Sequence, residues 1–190
     1  MQIEDGTGTS YKAKVNLQNK LATISIAGSP QLHVSAADGQ AYQVSSGIQT
    51  VASAGVYGIL ALRNDSSDNL LITYMCTAIN DTEAGETQVE TYLGGTWVAG
   101  TATENPVNLN GRFNLDAEVT AHYNSIPTSG ELIDARWLAG PDEVGYNKEG
   151  SIILPTNGII SIKLTTETDN VKVHSRISFL LMSDDDLASF

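Results

Sequence analysis

The stretch "VKVHSRISFLLM", residues 171–182, decides the fold. Val171, Val173, Ile177 and Phe179 share one phase of a two-residue alternation, while Lys172, His174 and Arg176 share the other. Side chains along a strand point to opposite faces in turn, so this pattern is a β-strand with one face in a core. A helix would need apolar residues at i, i+3, i+4 and i+7 between caps, and no long window of the chain keeps that pattern.

The same period recurs upstream. In "GVYGILALRN" (55–64) Val56, Leu60 and Leu62 are expected on one face, with Tyr57, Ile59 and Arg63 opposite. In "AEVTAHYN" (117–124) Val119, Ala121 and Tyr123 alternate with polar neighbours. "ELIDARWLA" (131–139) sets Ile133, Ala135 and Trp137 against Asp134 and Arg136, so Trp137 is expected in the core. "TQVETYL" (87–93) and "IISIKLTTET" (159–168) fit the same template.

Turn chemistry separates these runs. "RNDSSDN" (63–69) is dense in Asp, Asn and Ser, whose side chains close turns by bonding nearby backbone amides. "ILPTNGII" (153–160) is the clearest hairpin signal, because Pro155 fixes φ and Asn157-Gly158 accepts positive φ. "TETDNVKV" (166–173) makes a similar turn, and "AGPDEVGYNKEG" (139–150) reads as a long surface loop. Strands at regular spacing without intervening helices predict an all-β chain with one antiparallel β-sandwich, jelly-roll-like, over residues 22–190. An extended N-terminal arm is expected over residues 1–21.

Composition limits the partners. The chain has 190 residues, enough to bury a core without a staple, and its single cysteine, Cys76, permits no intrachain disulfide. Cys76 lies in the apolar run "LLITYMCTAIN" (70–80), where a buried, unreactive thiol is the plain reading. The formal net charge is −12, and the ten basic residues form no stripe. Phosphate binding runs on clustered Lys and Arg, so nucleic acid and anionic membranes are not expected partners. No apolar run approaches the length of a membrane helix, and no secretory signal is legible at the start.

Motifs of catalysis are not legible either. His33, His122 and His174 are dispersed, without metal-ligand spacing, and neither a nucleophile elbow nor a phosphate loop occurs. The acidic runs "NDSSDN" (64–69) and "SDDDLASF" (183–190) depart from the EF-hand spacing, so no metal or cofactor is expected. The chain is not expected to be an enzyme. Tyr92 and Trp97, flanking "LGGT" (93–96), are candidates for an exposed aromatic contact, Trp97 the better of the two because it follows two glycines.

The opening stretch "MQIEDGTGTSYKAKVNLQNKL" (1–21) is too polar to build a core of its own. It resembles the N-termini of small structural proteins of tailed bacteriophages and prophages, several of which look like capsid decoration (cement) proteins. That resemblance is specific over residues 1–21 and general elsewhere, in strands such as "LLITYM" (70–75) and "VKVHSRISFLL" (171–181). It implies a homotrimer on the outer capsid surface of a virion, made in the host cytoplasm, gripping the major capsid protein. It also implies that the arm is the grip. Ile3, Tyr11, Lys12, Lys14 and Val15 are then the contact residues, since an alternating extended segment can add to an exposed sheet edge. Composition alone leaves residues 1–21 as either such an arm or a frayed terminus. A receptor- or glycan-binding module of a phage tail or head fibre is the alternative, with Tyr92 and Trp97 as its contact.

Overall fold

A computed structural model describes residues 39–80, 86–96, 102–112, 116–123, 126–138 and 142–184. All of them lie within one unit of the chain, Gln31–Phe190. The strands are β1 (Ala41–Ser45), β2 (Gln49–Val51), β3 (Gly55–Asn64), β4 (Asn69–Asn80), β5 (Thr87–Leu93) and β6 (Ala102–Glu104). They continue as β7 (Val107–Asn108), β8 (Val119–Tyr123), β9 (Glu131–Leu138), β10 (Asp142–Leu154), β11 (Ile159–Thr166) and β12 (Val171–Met182).

Two antiparallel sheets pack face to face. One has the order β10-β4-β12-β1-β7, with β2 also on β12; the other runs β6-β8-β3-β11-β5-β9. Behind that order lies a simple ribbon. β1 pairs with β12, β3 with β11, β4 with β10 and β5 with β9. Those four pairs fall alternately in the two sheets, which is a chain folded once on itself and then wrapped around a core. The alternation of apolar residues predicts the antiparallel sandwich, and the strand order makes it a jelly roll.

The wrapping corrects the reading of the turns. Asn157 and Asn170 do take positive φ, 65° and 60°, at the two turns flanking β11. Gly158 is required by close approach, because a Cβ there would lie 2.8 Å from the Pro155 carbonyl oxygen. Yet "ILPTNGII" is no hairpin: β10 pairs with β4 in one sheet, and β11 pairs with β3 in the other. The turn carries the chain across the sandwich. The stretch 139–150 is also not a loop throughout, since Asp142–Asn147 pair with β4 from Ile79 to Tyr74. Backbone hydrogen bonds to a neighbouring strand outweigh the poor strand propensity of that segment.

The core lies between the sheets. Val171, Val173, Ile177 and Phe179 face it from β12, as their alternation requires, and Phe179 stacks on Tyr42 with ring centroids 5.7 Å apart. Two bulges alter the simple pattern. On β3 the register shifts so that Ile59 is the extra residue, and Ile59, Leu60, Ala61 and Leu62 are all buried. Val56, expected inside, is therefore left 46% exposed. On β4 the extra residue is Thr73, whose hydroxyl donates to the Ser178 carbonyl at 3.1 Å.

One buried side chain fastens the rim. Asn64, fully buried, donates to the Asp68 and Leu154 carbonyls at 2.8 and 2.9 Å. Its own carbonyl accepts the Ser66 amide and hydroxyl at 3.1 and 2.9 Å. That satisfies the amide and ties the crossing at 63–69 to the end of β10.

Candidate interaction surface

The residues expected to form the arm contact, Ile3, Tyr11, Lys12, Lys14 and Val15, lie outside the described residues, as does Trp97. Tyr92 is on β5 and is half-buried. Its hydroxyl accepts a hydrogen bond from Lys163 Nζ at 3.0 Å, and the ammonium also lies 4.9 Å from the ring centroid. Lys163 forms an ion pair with Glu90 on the same face. Burial pulls the Lys163 pKa down, but the bonds to Glu90 and Tyr92 outweigh it and hold the ammonium above its ordinary value. Tyr92 is thus part of a bonded trio.

The segment leading to Trp97 is held tightly. Gly94 and Gly95 take φ of 72° and 80°, and a Cβ on Gly95 would collide with the Ser129 backbone. Thr96 receives Thr128 through a backbone bond of 2.9 Å, and the two threonine hydroxyls lie 2.8 Å apart.

The polar groups on the outer face of the β10-β4-β12 sheet engage one another. The buried Cys76 thiol donates to Glu143 Oε1 at 2.9 Å, and Arg176 Nη2 lies 3.7 Å from the same oxygen. Burial, and then the Glu143 carboxylate, push the Cys76 thiol pKa up, away from the thiolate. Ser45, the last residue of β1, has its Oγ 2.8 Å from His174 Nε2 and accepts the Gly47 amide of the following turn at 3.2 Å. The depression beside His174, lined by Ile48, Ile79, Lys172 and Val173 among others, holds about 180 Å³. That is small against the several hundred Å³ of ordinary ligand pockets.

The acidic turn is likewise committed. Asp65 accepts from Arg63 Nε at 2.6 Å and from the Thr120 hydroxyl. Burial raises its pKa, but the Arg63 and Thr120 bonds win and hold the carboxyl below its ordinary value. Among the described residues, no group of three or more His, Cys, Asp or Glu converges on a metal-sized site.

Strand β9 is different. Among the described residues no strand pairs with its outer side. Leu132, Ile133 and Trp137 are 50%, 38% and 61% exposed. Trp137 is therefore not a core residue. It pairs with Gln88 and so shares the outer face of the sheet, whereas Asp134 and Arg136 oppose Thr91 and Val89 on the inner face. The charged phase points inward by its pairing with β5, and of the residues of β9 only Leu138 is buried. Asp134 and Arg136 lie 3.7 Å apart there, with 21% and 54% of their side chains exposed. Sequence reasoning missed this surface. The signal was present in the alternation of opposite charges with Ile133, Ala135 and Trp137, but its facing depends on the strand's place in the sheet.

No protein-family model matches the chain, and no curated protein matches it. Among solved structures it is similar to the derived T=1 particles of infectious bursal virus, at 12% identity and a TM-score of 0.23. That match covers 93% of this chain and 46% of the other. It is also similar to the infectious bursal disease virus VP2 subviral particle, at 12% identity and a TM-score of 0.24, covering 95% of this chain and 51% of the other. The chain spans about half the length of these neighbours, and likeness of that degree carries no argument about role. What the strand pairing itself defines is the class: a jelly-roll β-sandwich with an apolar edge strand.

Proposed function

We propose that the protein is a virion structural protein, a capsid decoration subunit that sits on the outer surface of a head shell and clips neighbouring capsid subunits. The observation that carries this reading is the opening stretch "MQIEDGTGTSYKAKVNLQNKL", which resembles the N-termini of small phage structural proteins. The jelly roll is consistent with it, being an architecture that viral capsid domains use among others. A fold hosts many roles, and it is the arm that distinguishes this one.

The chemistry suits a clip. Lys12, Lys14 and Lys20 make the arm basic in a chain of net charge −12, which favours an acidic surface as its seat. The alternating segment Tyr11-Lys12-Ala13-Lys14-Val15 supplies backbone donors and acceptors for a sheet edge. Three such arms carried on one trimer bind with an avidity roughly 10² to 10⁴ times that of a single arm when the geometry matches. No catalytic group is needed for this task, and no cofactor takes part.

The test is the solution mass of the full chain and of a version beginning at Ala22. A subunit number that is a multiple of three, from protomers of 20.2 kDa, is the expected result. If the shortened chain keeps that number, the arm is free to grip the shell. A full-length protein whose subunit number is not a multiple of three overturns the trimeric clip.

A further inference from the structure

We propose that β9 is a self-pairing edge, at which two copies meet strand to strand about a two-fold axis and join their sheets. The inference does not rest on the virion reading. It starts from an anomaly: natural edge strands are guarded by Lys, Pro or short length, because a bare edge invites another chain. β9 has eight residues and presents Leu132, Ile133 and Trp137 to solvent.

It also carries features that normally discourage pairing, namely a bulge at Ile133 and inward charges at Asp134 and Arg136. The signs of those charges reverse their effect. Antiparallel partners obey a constant sum of residue numbers. With Ala135 opposite Ala135 of the second copy, Asp134 meets Arg136 and Arg136 meets Asp134, while Trp137 faces the bulge at Ile133 on the other face. Opposite charges directly across a pair stabilise it, and like charges oppose it.

The neighbouring registers fail. Moving the centre to Asp134 sets Asp134 against its own copy, and moving it to Arg136 sets Arg136 against its own. One register is therefore selected by charge, and it is isologous, as a two-fold contact must be. The occupant that fits this edge is a second copy of the same chain.

The test uses reversed charges on the full chain. Asp134→Arg leaves two cations on the edge, and Arg136→Asp leaves two anions. Wild type is expected to show an even number of subunits by light scattering, and each single variant is expected to associate about tenfold more weakly or worse. An equimolar mixture of the two variants restores every opposite pairing, and so does the double variant. Recovery in the mixture also proves that both variants are folded. The proposal is overturned if the single variants associate like wild type, if the mixture does not recover, or if wild type has an odd subunit number. A dimer supports the edge pairing and removes the trimeric clip. A trimer does the reverse, and a hexamer of two-fold-related trimers carries both.

Discussion

β12 and β9 carry the same kind of sequence and have opposite fates. Each alternates apolar with charged residues, and each includes a large aromatic on its apolar phase, Phe179 in one and Trp137 in the other. Phe179 is fully buried, whereas Trp137 is 61% exposed. The difference lies in position. β12 has β4 on one side, with β1 and β2 on the other, and its apolar face is buried in the core between the sheets. β9 has β5 on one side only among the described residues, and Leu138 alone of its residues is buried. Alternation thus reports that a strand has two unlike faces. Which of them is inside is decided by what the rest of the chain stacks upon it.

That comparison can be broken by mutation. The largest effect is expected at Phe179→Ala, which should cost about 3–5 kcal/mol through lost burial and an unfilled cavity against Tyr42. Denaturant unfolding would measure it. A loss below about 1 kcal/mol would mean that the middle of β12 is not the packed centre of the sandwich.

Next in size is Asn64→Ala. It takes away the Asn64 donor to the Leu154 carbonyl and the acceptor of the Ser66 amide, while the Asp68 carbonyl keeps only the Ser66 hydroxyl. About 2–3 kcal/mol is expected from such buried, unmatched groups. Asn64→Asp should not rescue it, since a carboxylate cannot donate to the two carbonyls. Equal stability of wild type and Asn64→Asp would remove this residue's fastening role.

The Lys163 trio should contribute less, below about 1 kcal/mol for a partly screened pair. Its sign is fixed by the direction of the shift. The folded-state pKa of Lys163 is raised above the ordinary value of 10.5, so its contribution is complete below that value. It is lost as pH rises through the higher folded-state value. Lys163→Met should therefore lower stability at neutral pH by that small amount and flatten the alkaline end of the stability profile, where the contribution is already gone. An unaltered alkaline slope would show that the trio is not coupled to folding.

The smallest effect on folding is expected at Trp137→Ala, within about 0.5 kcal/mol when measured at a concentration where copies do not associate. The same change should weaken self-association, because Trp137 is among the apolar residues β9 offers a second copy. If Trp137→Ala unfolds the isolated protein as severely as Phe179→Ala, the contrast between centre and edge fails.

Several features were legible before any coordinates. The inward face of β12, the turn at Asn157-Gly158 and the buried thiol of Cys76 follow from periodicity and backbone chemistry that act over a few residues. Others were not. The bulges at Ile59, Thr73 and Ile133 each shift the phase of one strand against its partner, and nothing in the strand's own residues announces them. The strand character of 142–147 comes from the backbone of β4, some seventy residues earlier in the chain.

The sequence by itself determined that this is a β protein with alternating strands, a net acidic charge and a polar, locally basic opening segment. Those are properties of single residues and their near neighbours. Only the tertiary structure decided that the turns cross between sheets, that Tyr92 is bonded to Lys163, and that Trp137 lies outside. Each of these depends on contacts between segments distant in the chain, and the free energy of such contacts is set by which strands lie side by side. A local pattern constrains the two faces of a strand; the stacking of the sheets chooses between them.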